Sequence, residues 1–433
     1  MYDIERIKKI IKECDLLPYT GTVTGITGQI VESDGPSCRV GDLTRVVNTD
    51  NSAEVLCEVA GFKNNRLILM PYDDVGLISP GARVEKCERG NKAPVSLAMT
   101  GRILDALGRP IDKKGPLIPE EFYDLNRTPP DPMDRLPVNK PIKTGIKAID
   151  GLLTMGEGQR IGLFAGSGVG KSTLLGMIAK KSQADINVIG LIGERGREVR
   201  EFIDRDLGEA GLKKSIVIVA TSDTPAVLRM KAALLATTVA EFFRDKGKRV
   251  MLMIDSLTRY AMAVRDMGLA IGELPVARGY TPSLYPLLAK LLERAGNSDK
   301  ASITAIYTVL VEDDEMNEPV TDNTRAILDG HVVLSRTLAS ANHYPAINVL
   351  SSISRIMPGI VTQGHLELAG SIRNMMAEYE KIKDLIAIGA YKKGINPSSD
   401  KAIDKRDAIN AFLRQGTNDE TVYDDITLLM SKI

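Results

Sequence analysis

The stretch RIGLFAGSGVGKSTLLGMIAKK, residues 160–181, restricts the fold more tightly than any other in the chain. An apolar run leads into a glycine-rich turn, and the turn leads into a helix-type sequence. The turn, Ala165–Ser172, follows the phosphate-loop spelling G-x-x-x-x-G-K-[ST] except at its first position, where Ala165 stands in place of glycine. A loop that cradles phosphate needs successive backbone N–H groups turned inward. Gly166, Gly168 and Gly170 permit the necessary dihedrals, and Ser167 and Val169 add N–H groups between them. The helix that follows, through Thr173, brings its positive end to the same place. Lys171 supplies a point charge for the outer phosphates, and Ser172 offers a hydroxyl to Mg²⁺. Ala165 falls at the end of the strand, where a small side chain suffices. The motif therefore stands.

A strand–loop–helix of this kind belongs to an α/β sheet. Residues 151–355 alternate strand-type and helix-type segments, which predicts a largely parallel sheet covered by helices. Strands are expected at Arg160–Phe164, Asn187–Ile192, Ser215–Ala220, Val250–Ile254, Ser302–Leu310, His331–Leu334 and Ala346–Leu350. Such sheets bind ligands beyond the carboxyl ends of their strands. Three candidates lie there. VMLMIDS places Asp255 at a strand end, where a carboxylate can hold Mg²⁺ through water. GERGREV places Glu194 just past NVIGLI, where a carboxylate can orient water and accept its proton. The bland alternative is a surface Glu194 paired with Arg195 or Arg197; the strand-end position favours catalysis. SSISR places Arg355 beyond AINVL, and on spacing alone a structural salt bridge is the better reading of it.

The remainder is read from composition and punctuation. At 433 residues the chain needs more than one domain. Net charge is zero, which lacks the footprint of a dedicated nucleic-acid binder. No apolar run approaches the ~20 residues that span a bilayer, and the charged N-terminus has no signal-peptide core, so the expected location is cytoplasmic or peripheral to a membrane. The 4 cysteines all precede residue 90 and form no C-x-x-C pair, which reads as free thiols. Residues 1–16 carry isoleucines at helical spacing and fit equally a segment packed on its own domain or a docking helix. Residues 19–93 alternate short β-rich runs with turns, the pattern of a small barrel or sandwich. Its runs are Gly21–Ile26, Gln29–Val31, Cys38–Val40, Ala53–Ala60, Arg66–Leu69 and Arg83–Lys86. Acidic residues outnumber basic ones there, unlike an RNA-binding barrel. Residues 94–150, with the Pro-rich RTPPDPMDRLPVNKP at 127–141, read as a connector, and residues 365–433 read as mostly helical.

Taken together, AGSGVGKSTLL, GERGREVREF, MLMIDSLTRYA, RGYTPSLYPLLAKLLERAG, YTVLVEDDEMNEPVTD, ILDGHVVLSR and SSISRIM resemble the ATPases of flagellar protein export. These are similar to type III secretion (injectisome) ATPases and, more distantly, to the catalytic subunits of rotary ATP synthases. The resemblance covers residues 20–433 and implies a RecA-like P-loop NTPase core with an N-terminal β-barrel and a C-terminal helical domain. The implied division is a partner-docking helix at 1–17, a barrel at 18–93, the ATPase core with its connector at 94–355 and the helical domain at 356–433.

The resemblance also assigns roles. Lys171 and Ser172 would grip phosphate and Mg²⁺, Asp255 would support the metal, and Glu194 would be the catalytic carboxylate. Arg195 would act near the γ-phosphate or the subunit interface. Arg355 would be an arginine finger inserted into the neighbouring subunit's site. Rotary catalytic subunits carry a Tyr against adenine, and Leu366 is read as the matching position, which implies looser base stacking. ATP and Mg²⁺ are the implied cofactors. The implied partners are a homohexamer of the same chain, a stator-like regulator on the N-terminal helix, a central stalk-like protein, the membrane proteins of an export gate and chaperone–substrate complexes. The implied place is the inner face of the cell membrane, with no nucleic acid involved. Three other readings compete: an injectisome ATPase, an RNA-translocating RecA-like hexamer and a non-catalytic subunit of a rotary complex. The acidic balance of the barrel weighs against RNA, and the presence of both Lys171 and Glu194 weighs against a non-catalytic subunit.

Overall fold

A computed structural model describes residues 20–87, 90–311, 318–419 and 425–433. The helix expected over residues 1–16 lies outside the described residues. The chain divides into two compact units. One holds the described residues up to Lys92 with Pro225–Leu228 and Ala263–Pro282; the other holds Ala93–Thr224, Arg229–Met262 and Ser283–Ile433.

In the first unit six strands close into a barrel: β1 (Gly21–Thr27), β2 (Ile30–Ser33), β3 (Leu43–Val47), β4 (Glu54–Lys63), β5 (Arg66–Pro71) and β6 (Arg83–Lys86), in the order β1-β2-β5-β4-β3-β6. Alternation turns Val23, Val31, Val46, Val55, Leu69 and Val84 inward. The β4–β5 hairpin turns on Asn64 and Asn65, both at positive φ (50° and 60°), as a two-residue type I′ turn requires. The sequence expectation misplaced one strand here. Cys38–Val40 is not a strand, because Gly41 turns the chain at φ 87° and the Asp42 carboxylate accepts from the Arg39 N–H at 2.9 Å. The strand is Leu43–Val47 instead, where Thr44 and Val46 point inward.

The second unit is built on a sheet with β7 (Ile103–Asp105), β8 (Arg160–Ala165), β9 (Ile186–Glu194), β10 (Ser215–Thr221), β11 (Val250–Asp255), β12 (Ser302–Leu310), β13 (Gly330–Leu334) and β14 (Ile347–Ser354). Their order is β14-β13-β8-β12-β11-β9-β10-β7. Every neighbouring pair on this path is parallel except β13–β14. Helices cover both faces, so β9, β11 and β12 are buried along almost their whole length and read as unbroken apolar runs. Each Leu, Ile or Val fully buried there stabilises the fold by about 1.5–3 kcal/mol.

Two details depart from expectation. The Pro-rich connector contributes β7 to the edge of the sheet, where Ile103–Asp105 pairs with Val217–Val219. The strand expected at Ala346–Leu350 runs on to Ser354 and is antiparallel, because the chain after β13 turns back through the short helix Arg336–Ser340 and returns alongside it.

The C-terminal segment forms helices Gln363–Ala387, Pro397–Leu413 and Ile426–Ser431. They sit on the short helix Lys147–Leu152. Gly151 makes this possible: a Cβ there would stand 3.0 Å from both Met430 Sδ and Phe412 Cζ. Polar ties fix the arrangement. Gln415 accepts from the Lys147 N–H at 2.9 Å and donates to the Gly145 carbonyl at 2.8 Å, and His365 Nε2 lies 2.8 Å from the Gly151 carbonyl. Among the described residues no helix is long and apolar enough to cross a membrane.

Candidate nucleotide site

The phosphate loop leaves β8 in the geometry its glycines dictate. Gly168 and Gly170 have φ of 79° and 89°, conformations that cost a residue with a Cβ dearly. Gly170 caps the helix Lys171–Lys181, which buries Leu174, Leu175, Met177 and Ile178. Gly176 lets that helix approach a π-helical turn at Phe202–Leu207 closely: a Cβ would stand 2.6 Å from the Asp206 carbonyl oxygen. The contact brings Asp206 to Thr173, whose hydroxyl donates to it at 3.2 Å. Ala165 is a residue of the strand rather than of the loop. It pairs with Leu310, is buried, and its carbonyl accepts from Val311 N–H at 3.1 Å.

Three charges meet at the strand ends. β8 and β11 flank β12, and β9 lies next to β11. Lys171 reaches across to Asp255 at 2.5 Å and lies 3.6 Å from Glu194. The Thr308 hydroxyl donates to the same Asp255 oxygen at 2.7 Å. All three groups are largely shielded, with side-chain exposures of 12% for Lys171, 17% for Glu194 and 4% for Asp255. Burial raises the Glu194 carboxyl to about 7; Asp255 and a hydrogen bond with Glu198 add to the rise, and Lys171 opposes it. Burial pulls the Lys171 ammonium down, but Asp255 and Glu194 outweigh it and hold its pKa above the ordinary value. The result is a carboxyl poised near neutrality beside a firmly charged lysine, as general-base chemistry requires. A cavity of about 440 Å³ opens over the loop, Lys171 and Glu194.

Residues 23–88 match the family described as "ATP synthase alpha/beta family, beta-barrel domain", and residues 145–354 match its "nucleotide-binding domain". Residues 361–432 match the "T3SS EscN ATPase C-terminal domain". The chain is 50% identical over 418 residues to a flagellum-specific ATP synthase of Bacillus subtilis (strain 168), covering 96% of this chain and 95% of that one. It is 45% identical over 413 residues to a type 3 secretion system ATPase of Xanthomonas euvesicatoria, covering 95% and 93%. The assembled ATPase EscN of enteropathogenic E. coli superposes with a TM-score of 0.89 at 45% identity, over 95% of this chain and 99% of that one. The chain belongs to the family of flagellar and type III secretion ATPases.

In this member of the family the remaining expected site residues scatter. Arg195 lines the cavity but is 81% exposed and pairs loosely with Glu198 at 3.5 Å. Ser172 also lines the cavity. Arg355 is exposed and does not line it, and its guanidinium donates to the Arg325 carbonyl at 3.1 Å. Leu366 stands in the first turn of Gln363–Ala387 and does not line the cavity.

Two residues that the sequence pattern did not single out do approach the site. Arg259, one helical turn past Asp255, lines the cavity, and its Nε is buried without a hydrogen-bond partner among the described residues. A cation four residues after a strand-end Asp is the signal that could have found it. Tyr344 lies in the loop between β13 and β14, with its ring 3.3 Å from where a Cβ on Gly170 would stand. It is 42% exposed and so offers an aromatic face beside the phosphate loop. Its position past the carboxyl end of β13 was legible; its proximity to Gly170 was not.

Proposed function

We propose that this ATPase hydrolyses Mg-ATP in a homohexameric ring and couples the reaction to export of flagellar proteins through a type III apparatus. The observation that carries the reading is the Lys171–Asp255–Glu194 cluster beneath the phosphate loop. In this reading Gly166–Thr173 cradle the phosphates, and Lys171 leaves Asp255 for the β/γ-phosphates. Glu194 orients the attacking water and accepts its proton, which its raised pKa favours. Arg259 faces the γ-phosphate, with Arg195 at its rim, and Tyr344 rather than Leu366 supplies the stacking surface for the base. The donors suit a divalent ion: Ser172 and Asp255 offer hard oxygen ligands. The remaining ligands of such an ion would come from phosphate and water.

Arg355 is exposed and is not among the residues that line its own subunit's cavity, which supports its use as a finger in a neighbour's site. EscN has also been solved in complex with its central stalk EscO. By analogy this chain takes a central stalk-like partner, with a stator-like regulator on residues 1–16, at the inner face of the membrane beside the export gate. The flagellar assignment rests on the 50% identity to the Bacillus protein, and the injectisome alternative on relatives at 45–46%.

The test is hydrolysis against protein concentration. Specific activity is expected to rise as subunits associate. Inactive Glu194→Gln chains mixed with inactive Arg355→Ala chains should regain part of the activity, since each supplies what the other lacks. Concentration-independent turnover and no complementation would refute the ring. Export is tested separately, by secretion of flagellar subunits in a strain whose only copy is Glu194→Gln.

A further inference from the structure

A second cavity, of about 350 Å³, shares Gly166 with the nucleotide cavity but is otherwise lined by different residues. It sits within the size range of small-ligand cavities, ~300–1,000 Å³. Its lining includes Arg325 from the helix Pro319–Ile327, His331 from β13, Ser335, and Asn348 and Ser351 from β14. No Asp or Glu is among its described lining residues. The Arg325 side chain is half-buried, and its buried Nε has no hydrogen-bond partner among the described residues. A buried guanidinium nitrogen left unpaired is a donor that an anion in the cavity would satisfy.

The neighbours are also donors. Asn348 uses its side-chain oxygen to accept from the Ser351 N–H at 3.1 Å, which leaves its NH₂ group uncommitted. The Ser335 oxygen accepts from the Leu338 N–H at 3.3 Å, which leaves its proton to donate. His331 Nε2 faces the Ser351 carbonyl at 3.1 Å, so that nitrogen carries the proton. A further cation stands at the shared wall: a Cβ on Gly166 would lie 3.0 Å from Arg336 Nη2.

We propose that this cavity is a second oxyanion site, distinct from the nucleotide cavity, which takes a free anion of the size and charge of orthophosphate. Arg325 provides the charge, Asn348 and Ser335 provide neutral donors, and Gly166 separates the anion from the phosphate loop by one residue's thickness of backbone. The inference does not depend on the ring or on export.

The chain's 3 histidines make the test readable. Full-length protein with labelled histidine rings is saturated with Mg-ADP, so that the phosphate loop is filled. Orthophosphate is then titrated at constant ionic strength, with chloride as the control. Burial, Arg325 and Arg355 hold the His331 pKa below its ordinary value against a rise from the Ser351 carbonyl. A bound anion should raise it. The His331 signal, assigned with a His331→Gln variant, is expected to move saturably with phosphate but not with chloride, while His343 and His365 stay fixed. Arg325→Gln should weaken the response about ten- to a hundredfold and leave Mg-ADP affinity unchanged, with Arg325→Lys intermediate. A linear response, an equal response in Arg325→Gln, or a response that disappears once Mg-ADP is bound would overturn the proposal.

Discussion

Replacing Glu194 by glutamine isolates the cost of ionising a carboxyl in the site. Burial lifts that carboxyl from an ordinary 4.5 to about 7. The folded chain therefore holds the proton more tightly than the unfolded chain. The stability this contributes is complete below about 4.5 and is lost as pH rises through about 7. Each pH unit in that window is worth ~1.4 kcal/mol, so full ionisation costs the nucleotide-free fold ~3 kcal/mol. Glutamine keeps the shape and cannot ionise, and Lys171 keeps Asp255 at 2.5 Å. Urea unfolding of both proteins without nucleotide, at steps from pH 4.5 to 8.5, measures the difference. The two should start nearly equal. The variant should then gain steadily and hold an advantage of ~3 kcal/mol above about pH 7. A difference that does not change with pH, or a wild type that is the more stable at pH 8.5, would refute the assignment of the raised pKa to Glu194.

Other outcomes follow from the same geometry. The kcat/KM for ATP should rise with pH and level off above about 7, as the free enzyme's base ionises; a flat profile from pH 6 to 8 would remove Glu194 as that base. Arg294, 1% exposed, donates to both Glu241 oxygens at 2.8 and 2.9 Å, to Thr238 and to the Leu125 carbonyl. Arg294→Leu should cost ~3–5 kcal/mol in chemical unfolding, and adding Glu241→Leu should restore much of it, because the penalty comes from a stranded buried charge. Gly176→Val should destabilise by ~1–3 kcal/mol and weaken nucleotide binding, since its side chain would meet the Asp206 carbonyl; unchanged ATP affinity would mean that the π-helical turn does not support the loop.

The sheet was legible because β9, β11 and β12, covered on both faces, leave unbroken apolar runs in the sequence. Glu194 and Asp255 were legible because each ends such a run, Lys171 because of the loop spelling before it, and parallel strands bring their ends together. β3 was not, since LTRVV is short and carries an outward Arg45 at its centre. β7 was hidden in the connector, because an edge strand of three residues leaves no periodic signature. Arg259 and Tyr344 escaped for a different reason: each reaches the loop from another strand end, and that distance is set by the packing of the sheet rather than by any local pattern.

The position of Lys171 has a consequence for the order of events. In the nucleotide-free chain the ammonium lies against Asp255 and near Glu194 and neutralises much of their charge. It acts as a built-in counter-ion in the place where a divalent cation would be most attracted. On the proposed reading, a free divalent cation would have to compete with this tethered positive charge and would gain little by arriving alone. A nucleotide phosphate would draw the ammonium toward itself and uncover Asp255 at the same moment. Loading would then be a cation exchange triggered by phosphate, favouring the metal–nucleotide complex over either component on its own.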